Sequence, residues 1–206
     1  MANISVYLNP NASQATHTFQ SDEIRKYFFR QEIRFMNPLS ELELIEMIRK
    51  DAADGVECIF SIGGDGTAHT IAQHLVGTKT KLLVLPGGTA NDFAAELGTN
   101  SNLRKLASIF HARTTREVDI IKVNDRYLIT NGGLGIAQKV AHDVNKFRKE
   151  MTLFKSFMKS VGKHSYSFMF MKQLMTSKFE LLDVYMDSPD MPLLDKKVSS
   201  SLILIN

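Results

Sequence analysis

The chain has 206 residues and a formal net charge of +3, with 44% hydrophobic and 23% charged residues. These values are typical of a folded globular protein, so they exclude a largely disordered chain, and the charge is too small to indicate binding to nucleic acid. The sequence has a single cysteine, no basic and apolar leader, and no apolar run of about 18 residues, so we expect a cytoplasmic protein without a disulfide framework, secretion signal or membrane span.

The first half of the chain alternates strand-like and helix-like segments. Short apolar runs predict strands at 4–8, 33–36, 58–62 and 82–85. Between and after them, helical spacing predicts helices at 22–31, 41–54, 68–76, from 91 onward, and at 102–111. Ser40 and Glu43 stand at capping-box spacing, and Gly55 follows the second helix. This alternation predicts an α/β domain with a Rossmann-like parallel sheet that is covered on both faces.

After residue 115 the pattern changes. Residues 117–123 and 127–130 are predicted to be consecutive strands joined by a turn at Asn124-Asp125, which indicates antiparallel pairing. Residues 136–177 have a helical, Lys- and Met-rich pattern, and 179–186 and 199–205 are predicted to be strands. We therefore predict a nucleotide-binding catalytic domain at 1–116, followed at 117–206 by part of an antiparallel β-sandwich domain that binds lipid.

The first chemical motif is Gly63-Gly64-Asp65-Gly66-Thr67, between an apolar strand and a helix. Parallel sheets bind ligands at this carboxyl edge, and glycines let the backbone approach a phosphate closely. We expect Thr67 to cap the following helix, whose amides favour an anion. A carboxylate among phosphates would repel them unless a cation lies between, so Asp65 indicates either Mg²⁺ or a role in proton transfer.

A second motif follows the next predicted strand. Gly87 and Gly88 allow close approach, Thr89 offers a hydroxyl donor, and Asn91-Asp92 opens a helix. Two glycine-and-carboxylate loops at one sheet edge predict a single phosphate and metal site. Two tight turns without a ligand are the alternative; one glycine loop is a weak signal, whereas the pair is specific.

These motifs resemble the paired signature of the lipid kinase superfamily, which includes diacylglycerol, sphingosine and ceramide kinases. The resemblance rests on Gly-Gly-Asp-Gly-Thr at 63–67 and Pro-Gly-Gly-Thr-Ala-Asn-Asp-Phe-Ala at 86–94. Further positions of the chain fit the same family, and bacterial diacylglycerol kinase-like proteins in particular: Asn9-Pro10, Val118-Asp119, the glycine-rich 131–135, Gly162 and Tyr166.

The resemblance implies an ATP-dependent kinase that phosphorylates a hydroxyl of a diacylglycerol-like or sphingoid lipid. ATP would bind in a cleft between the domains, and Asp65 and Asp92 would be the required catalytic carboxylates acting with Mg²⁺. Thr89 would contact phosphate. The remaining residues expected to line the nucleotide are Asn9, Gly63, Gly64, Gly66, Thr67, Gly87, Gly88 and Asn91.

The resemblance also implies segments that this sequence does not contain. In the family, a strand like 202–206 is followed by further strands and by an Asp-Gly pair whose carboxylate takes the proton from the lipid hydroxyl. No aspartate in 183–195 is followed by glycine. We therefore expect a C-terminally truncated relative that is impaired on its own, with unpaired sheet edges that invite a homodimer.

The expected partner is a lipid substrate at a membrane surface, reached by peripheral contact and without nucleic acid. Residues 146–159 interleave lysines and an arginine with Phe and Met, which fits a basic amphipathic surface. Lysines facing water over an apolar core explain the same pattern.

Other functions remain open. NAD kinase shares the first loop, but it is not expected to carry Gly-Thr-Ala-Asn-Asp-Phe-Ala in the second, and phosphofructokinase normally requires a longer chain. A different class is a nucleotide-binding module that senses ATP or ADP and transfers nothing. The 206 residues could also be a fragment of a longer protein.

Overall fold

A computed structural model of the chain describes residues 3–9, 21–88, 91–129, 132–135, 181–188, 191–199 and 202–205. Its helices are α1 (Ser21–Tyr27), α2 (Glu41–Ala53), α3 (Asp65–Gln73), α4 (Asp92–Glu96) and α5 (Leu103–His111). Its strands are β1 (Ile4–Leu8), β2 (Ile33–Met36), β3 (Cys58–Gly63), β4 (Lys81–Pro86), β5 (Ile121–Val123), β6 (Arg126–Leu128), β7 (Gly132–Gly135), β8 (Leu181–Ser188), β9 (Met191–Ser199) and β10 (Leu202–Ile205).

Contacts divide the chain into two compact units, Met1–Thr130 and Asn131–Asn206. The units are defined by contacts within each and not by function, so the predicted domains at 1–116 and 117–206 stay a prediction.

The first unit is built on a four-stranded parallel sheet in the order β2-β1-β3-β4. Val6 of β1 lies opposite Phe35 of β2 on one side and Phe60 of β3 on the other. The chain adds β2 on one side of β1 and then β3 and β4 on the other, which is the topology of an open, doubly wound sheet. The predicted α/β class with a parallel sheet is confirmed.

Apolar residues cover both faces of this sheet, as the nearly continuous apolar strands predict. On one face, Val6 and Phe60 pack in a buried cluster with Phe28 and with Leu106 of α5. On the other face, Ile59 packs with residues of α2 and α3. Burying both faces fixes the strand ends in space, and these ends carry the site.

The helix signals of the sequence are largely confirmed. The hydroxyl of Ser40 accepts a hydrogen bond from the Glu43 amide at 3.2 Å, and the Glu43 carboxylate accepts one from the Leu39 amide at 2.7 Å. Gly55 follows α2 with φ +74°. The predicted helix at 22–31 is too long, because α1 ends at Tyr27 and a turn leads into β2.

A buried polar contact that the sequence does not predict ties β1 to α2. The Tyr7 hydroxyl donates to Asp51 at 2.7 Å, and Arg34 donates to the same carboxylate at 2.6 Å. Asp51 is 2% exposed, so these two donors compensate the burial of its charge. Burial, followed by the hydrogen bond to Asp51, raises the pKa of Tyr7 far above its ordinary value.

The later strands pair antiparallel, as predicted. In the first unit, β5 and β6 form a hairpin around Asn124, which has φ +52°. In the second unit, β8 pairs with β9 and β7 pairs with β10. The sequence predicts no strand at β9, because Pro192 and the charged run 195–197 interrupt its apolar pattern. The helix predicted at 136–177 lies outside the described residues.

Within the described part of the chain, no helix combines the length and the apolar character that crossing a membrane requires.

Candidate functional site

The site begins where the sheet topology reverses direction, at the carboxyl ends of β1 and β3, where a crevice forms in open α/β sheets. Asn9 follows β1, and its backbone amide donates to the carbonyl of Ile62 in β3 at 3.0 Å. Its side-chain Nδ2 donates to the Thr67 hydroxyl at 2.8 Å. Asn9 and the first glycine loop therefore lie together, as their positions after adjacent strands predict.

The helix after β3 begins earlier than the sequence suggests. α3 starts at Asp65 with Gly64 as its N-cap, and the Gly64 carbonyl accepts the amides of Thr67 and Ala68 at 3.0 and 3.2 Å. The prediction of a helix from 68 capped by Thr67 is wrong, because the extended backbone of Gly64 opens the helix without a side-chain cap. Thr67 lies inside the first turn, and its hydroxyl accepts the Asn9 hydrogen bond. The loop thus places the first-turn amides of α3 at the carboxyl edge of the sheet.

The two glycine loops contact each other backbone to backbone. A Cβ atom on Gly88 would lie 2.4 Å from the Cα of Gly64, closer than any real side chain tolerates. The Gly87 amide donates to the Gly63 carbonyl at 2.8 Å and continues the pairing of β3 with β4 past the strand ends. Gly87 and Gly88 are buried. The structure therefore brings both predicted loops into one place.

The second loop is held in shape by Asn91. Its side-chain Oδ1 accepts the Gly88 amide at 2.8 Å, and its Nδ2 donates to the Gly88 carbonyl at 2.9 Å. Asn91 has φ +58°, a left-handed conformation that asparagine adopts more readily than most residues. Its side chain is thus engaged within the loop. Thr89, the predicted phosphate contact, lies outside the described residues.

Asp65 links the first loop to the second. Its Oδ1 accepts the backbone amide of Phe93, in the first turn of α4, at 3.0 Å. Phe93 is buried and packs in a cluster with Ala68 of α3, so the bond is supported by apolar contact beneath it. Asp92 directly precedes Phe93 and is exposed. Asp65 therefore connects the two loops, and Asp92 lies one residue away from that connection.

These two carboxylates could provide part of the coordination shell of a cation whose other ligands come from phosphate and water. In the described part of the chain, no group of three or more His, Cys, Asp or Glu side chains could hold a metal ion. Mg²⁺ is commonly held by one or two carboxylates together with phosphate oxygens and water. Asp65 and Asp92 are the two carboxylates at these loops that could serve as such ligands.

Gln73, which sequence reasoning missed, fixes the β5–β6 hairpin to α3. Its Oε1 accepts a hydrogen bond from the Tyr127 amide at 2.9 Å, and its Nε2 donates one to the Tyr127 carbonyl. The side-chain amide thus makes the pair of hydrogen bonds that the backbone of a neighbouring strand would make with β6. Nε2 also lies 3.0 Å from His69 Nε2, which can accept only when His69 is neutral. Burial, followed by the charge of Arg126, lowers the pKa of His69 and favours that neutral form.

Comparisons with known proteins agree with this geometry. Residues 3–123, more than half of the chain, match the family described as the diacylglycerol kinase catalytic domain. Among curated proteins, the putative lipid kinase of Staphylococcus haemolyticus (strain JCSC1435) is 29% identical over 104 residues, and that of Staphylococcus aureus (strain MRSA252) is 31% identical over 108. The matches cover 50% and 52% of this chain, but 34% and 35% of those proteins. The chain thus matches about a third of the length of these relatives.

Solved structures share the fold. A diacylglycerol kinase from Bacillus anthracis str. Sterne has a TM-score of 0.61, and a putative diacylglycerol kinase from the same organism has 0.66. Both are 19% identical, and the likeness covers 98% of this chain and 63% and 65% of those chains. At this identity the likeness shows the fold alone. Together with the family match over residues 3–123, the glycine loops and the parallel sheet lead to one conclusion: the chain belongs to the family of the diacylglycerol kinase catalytic domain.

Proposed function

We propose that this chain carries the nucleotide site of an ATP-dependent lipid kinase, which transfers the γ-phosphate of ATP to a hydroxyl of a diacylglycerol-like or sphingoid lipid. The observation that carries the proposal is the backbone contact between Gly64 and Gly88. Two glycine loops held this closely at the carboxyl edge of a parallel sheet have no Cβ atoms at the glycines, so an anionic ligand can approach the backbone closely there. Membership of the family supports phosphoryl transfer to a lipid as the reaction.

In this proposal, the first loop and α3 bind the phosphates of the nucleotide. The amides of Asp65 and Gly66 precede the first intrahelical hydrogen bonds of α3 and lie at the positive end of the helix dipole, so they favour a phosphate. Gly63 leaves no room for a side chain beside Thr67, since a Cβ there would lie 2.7 Å from the Thr67 hydroxyl. The hydrogen bond from Asn9 fixes the orientation of that hydroxyl.

The carboxylates serve the transfer step. Asp65 and Asp92 would hold Mg²⁺, which neutralises charge on the phosphates as the phosphoryl group moves. Asp65 is fixed by the Phe93 amide through one oxygen, so its other oxygen keeps a defined position without a further loss of side-chain freedom. Phosphoryl transfer needs mainly positioning and charge neutralisation, which these residues supply. The lipid acceptor would be met at a membrane surface by peripheral contact.

The test separates nucleotide binding from transfer. Calorimetric titration of the chain with ATP, with and without Mg²⁺, should show binding that Mg²⁺ strengthens. Incubation with labelled ATP, Mg²⁺ and mixed micelles of diacylglycerol, monoacylglycerol, ceramide or sphingosine should then yield one labelled lipid, at a low rate if the chain is impaired on its own as its sequence predicts.

The matched control is Asp65→Asn, which keeps an oxygen for the Phe93 amide but removes the charge. We expect this variant to lose the Mg²⁺ effect and the labelled product while it melts like the wild type. If the chain binds ATP but yields no labelled lipid, the proposed kinase activity is refuted and a nucleotide-sensing function takes its place. Absence of ATP binding would refute the proposed site itself.

A further inference from the structure

A cavity of about 430 Å³ lies at the opposite edge of the sheet from the glycine loops. Gln31, two residues before β2, and Glu57, directly before β3, line it together with Arg113, which follows α5. Because the strands are parallel, their amino ends share this edge, whereas Asn9 and the glycine loops share the other. The other residues that line the cavity are Phe29, Arg30, Phe110 and His111.

Cationic groups dominate the charged wall of this cavity. Arg30 and Arg113 each carry a permanent charge, and Glu57 carries one opposite charge. His111 adds a ring whose Nε2 lies 3.2 Å from the carbonyl of Tyr27. A carbonyl can only accept, so Nε2 carries the hydrogen, and the bond holds the imidazole in place against the end of α1.

Aromatic contacts position two of these groups, His111 and Arg30. The His111 ring lies 5.9 Å from the ring of Phe28 and 5.7 Å from that of Phe110, measured between centroids. The Arg30 guanidinium lies over the ring of Phe29 at 5.4 Å, and this phenylalanine is 71% exposed. The cavity therefore combines positioned cations with an exposed apolar side chain at its rim.

Arg113 occupies a backbone position that favours glycine. It has φ +53° directly after the C-cap of α5, and its amide donates to Phe110 while the next amide donates to Ile109, at 3.0 and 3.2 Å. This is the Schellman arrangement, in which glycine is usual. In the described part of the chain, α2 and α4 end in the same way with Gly55 and Gly98 at that position. Arginine there strains the backbone, and such strain often marks a functional position.

We infer that this cavity binds a phosphate-bearing anion. Two guanidinium groups offer forked donors that match the several oxygens of a phosphate, and a dianion suits two lining cations better than a carboxylate does. The exposed Phe29 at the rim offers an apolar surface against which an apolar group of the ligand can pack. The phosphate could belong to a lipid headgroup or to a free phosphomonoester, and both present the same chemistry to Arg30 and Arg113.

Three substitutions give a signature that general destabilisation cannot produce. Arg30→Gln and Arg113→Gly should each weaken anion binding by about 1.4-fold to fivefold, the range for exposed charge pairs. Glu57→Gln should tighten it by a similar factor, because it removes the repulsive charge. Arg113→Gly should at the same time raise Tm, since glycine relieves the left-handed strain, so its weaker binding cannot come from unfolding.

The experiment has two arms on the full chain. In the first, inorganic phosphate and glycerol phosphate are titrated at low and high salt. In the second, the chain is sedimented with phosphatidylcholine vesicles that contain or lack phosphatidic acid. If the three variants change the affinity for inorganic phosphate or glycerol phosphate as predicted, the ligand is a free phosphate. If they change only the binding to vesicles with phosphatidic acid, the ligand is a lipid headgroup. Binding in neither arm, or binding that ignores all three substitutions and therefore occurs elsewhere, such as at the glycine loops, overturns the inference.

Discussion

Replacing Gly88 by alanine tests whether the two glycine loops form one site. The new Cβ would lie 2.4 Å from the Cα and 3.0 Å from the N of Gly64, and 3.1 Å from Oδ1 of Asn91. The first two are backbone atoms, so no side-chain rotation relieves the clash. The loops must separate by about 1 Å to reach an ordinary contact distance.

The cost follows from this movement. Overpacking a tight contact costs about 1–3 kcal/mol, and losing the bond from the Gly87 amide to the Gly63 carbonyl costs about 1 kcal/mol more. We therefore expect Gly88→Ala to lower the free energy of unfolding by about 3 kcal/mol, which corresponds to a fall in Tm of about 6–12 °C. Displacing one loop from the other should weaken ATP binding at least about tenfold.

Gly66→Ala is the matched stability control. A Cβ at Gly66 would meet no heavy atom within 4 Å, and the residue lies in α3 with an ordinary φ. Alanine in a helix should raise the free energy of unfolding by about 0.5–1 kcal/mol. The chain has no tryptophan, so urea unfolding is best followed by circular dichroism. If Gly88→Ala unfolds like the wild type and binds ATP normally, the loops do not form one rigid site.

Three further predictions follow from single contacts. Asp65→Asn keeps an acceptor for the Phe93 amide, so its free energy of unfolding in urea should stay within about 0.5 kcal/mol of the wild-type value. Asp65→Ala loses that acceptor and should lower the free energy of unfolding by about 1 kcal/mol. Equal losses in the two variants would contradict the capping role. Folding lowers the pKa of His69, so as the pH falls the unfolded chain binds a proton at His69 before the folded chain does. Tm should therefore fall as the pH drops below about 6.5, and it should fall less steeply in His69→Gln. Equal slopes of Tm against pH in the two proteins would exclude His69 as the cause. Burial raises the pKa of Cys58 to about 12, so at about pH 8 a thiol reagent should label the native chain far more slowly than the urea-unfolded chain, and similar rates would refute its burial.

Local patterns in the sequence predict much of the fold. The apolar runs predict all four strands of the parallel sheet, because strands buried on both faces must be apolar throughout. Ser40 and Glu43 predict the start of α2, since a capping box depends only on residues three apart. The boundary of α3 could not be predicted in this way. Its first turn contains Gly66 and follows Gly64, and both glycines lower the apparent helix propensity just where the helix begins.

The candidate site is predicted in its members but not in its contacts. Parallel strands place Asn9 and both glycine loops at one edge, so a topological rule suffices. The bond from Asp65 to Phe93 spans 28 positions, and that from Tyr7 to Asp51 spans 44. No periodicity links such residues, because packing of the whole sheet brings them together. Gln73 was missed for the same reason, since its partner is backbone that carries no sequence signal.

The contacts of Asp65 show why a carboxylate suits this position. Capping the Phe93 amide needs one oxygen, and asparagine would supply it equally well. A carboxylate has a second oxygen and more lone pairs, so it can cap α4 and still offer a charged ligand to a cation. The cap holds the side chain in one rotamer, so little conformational entropy is left to lose when that second oxygen is used. Stability and proposed chemistry therefore draw on different oxygens of one side chain, which is why the asparagine variant separates the two roles.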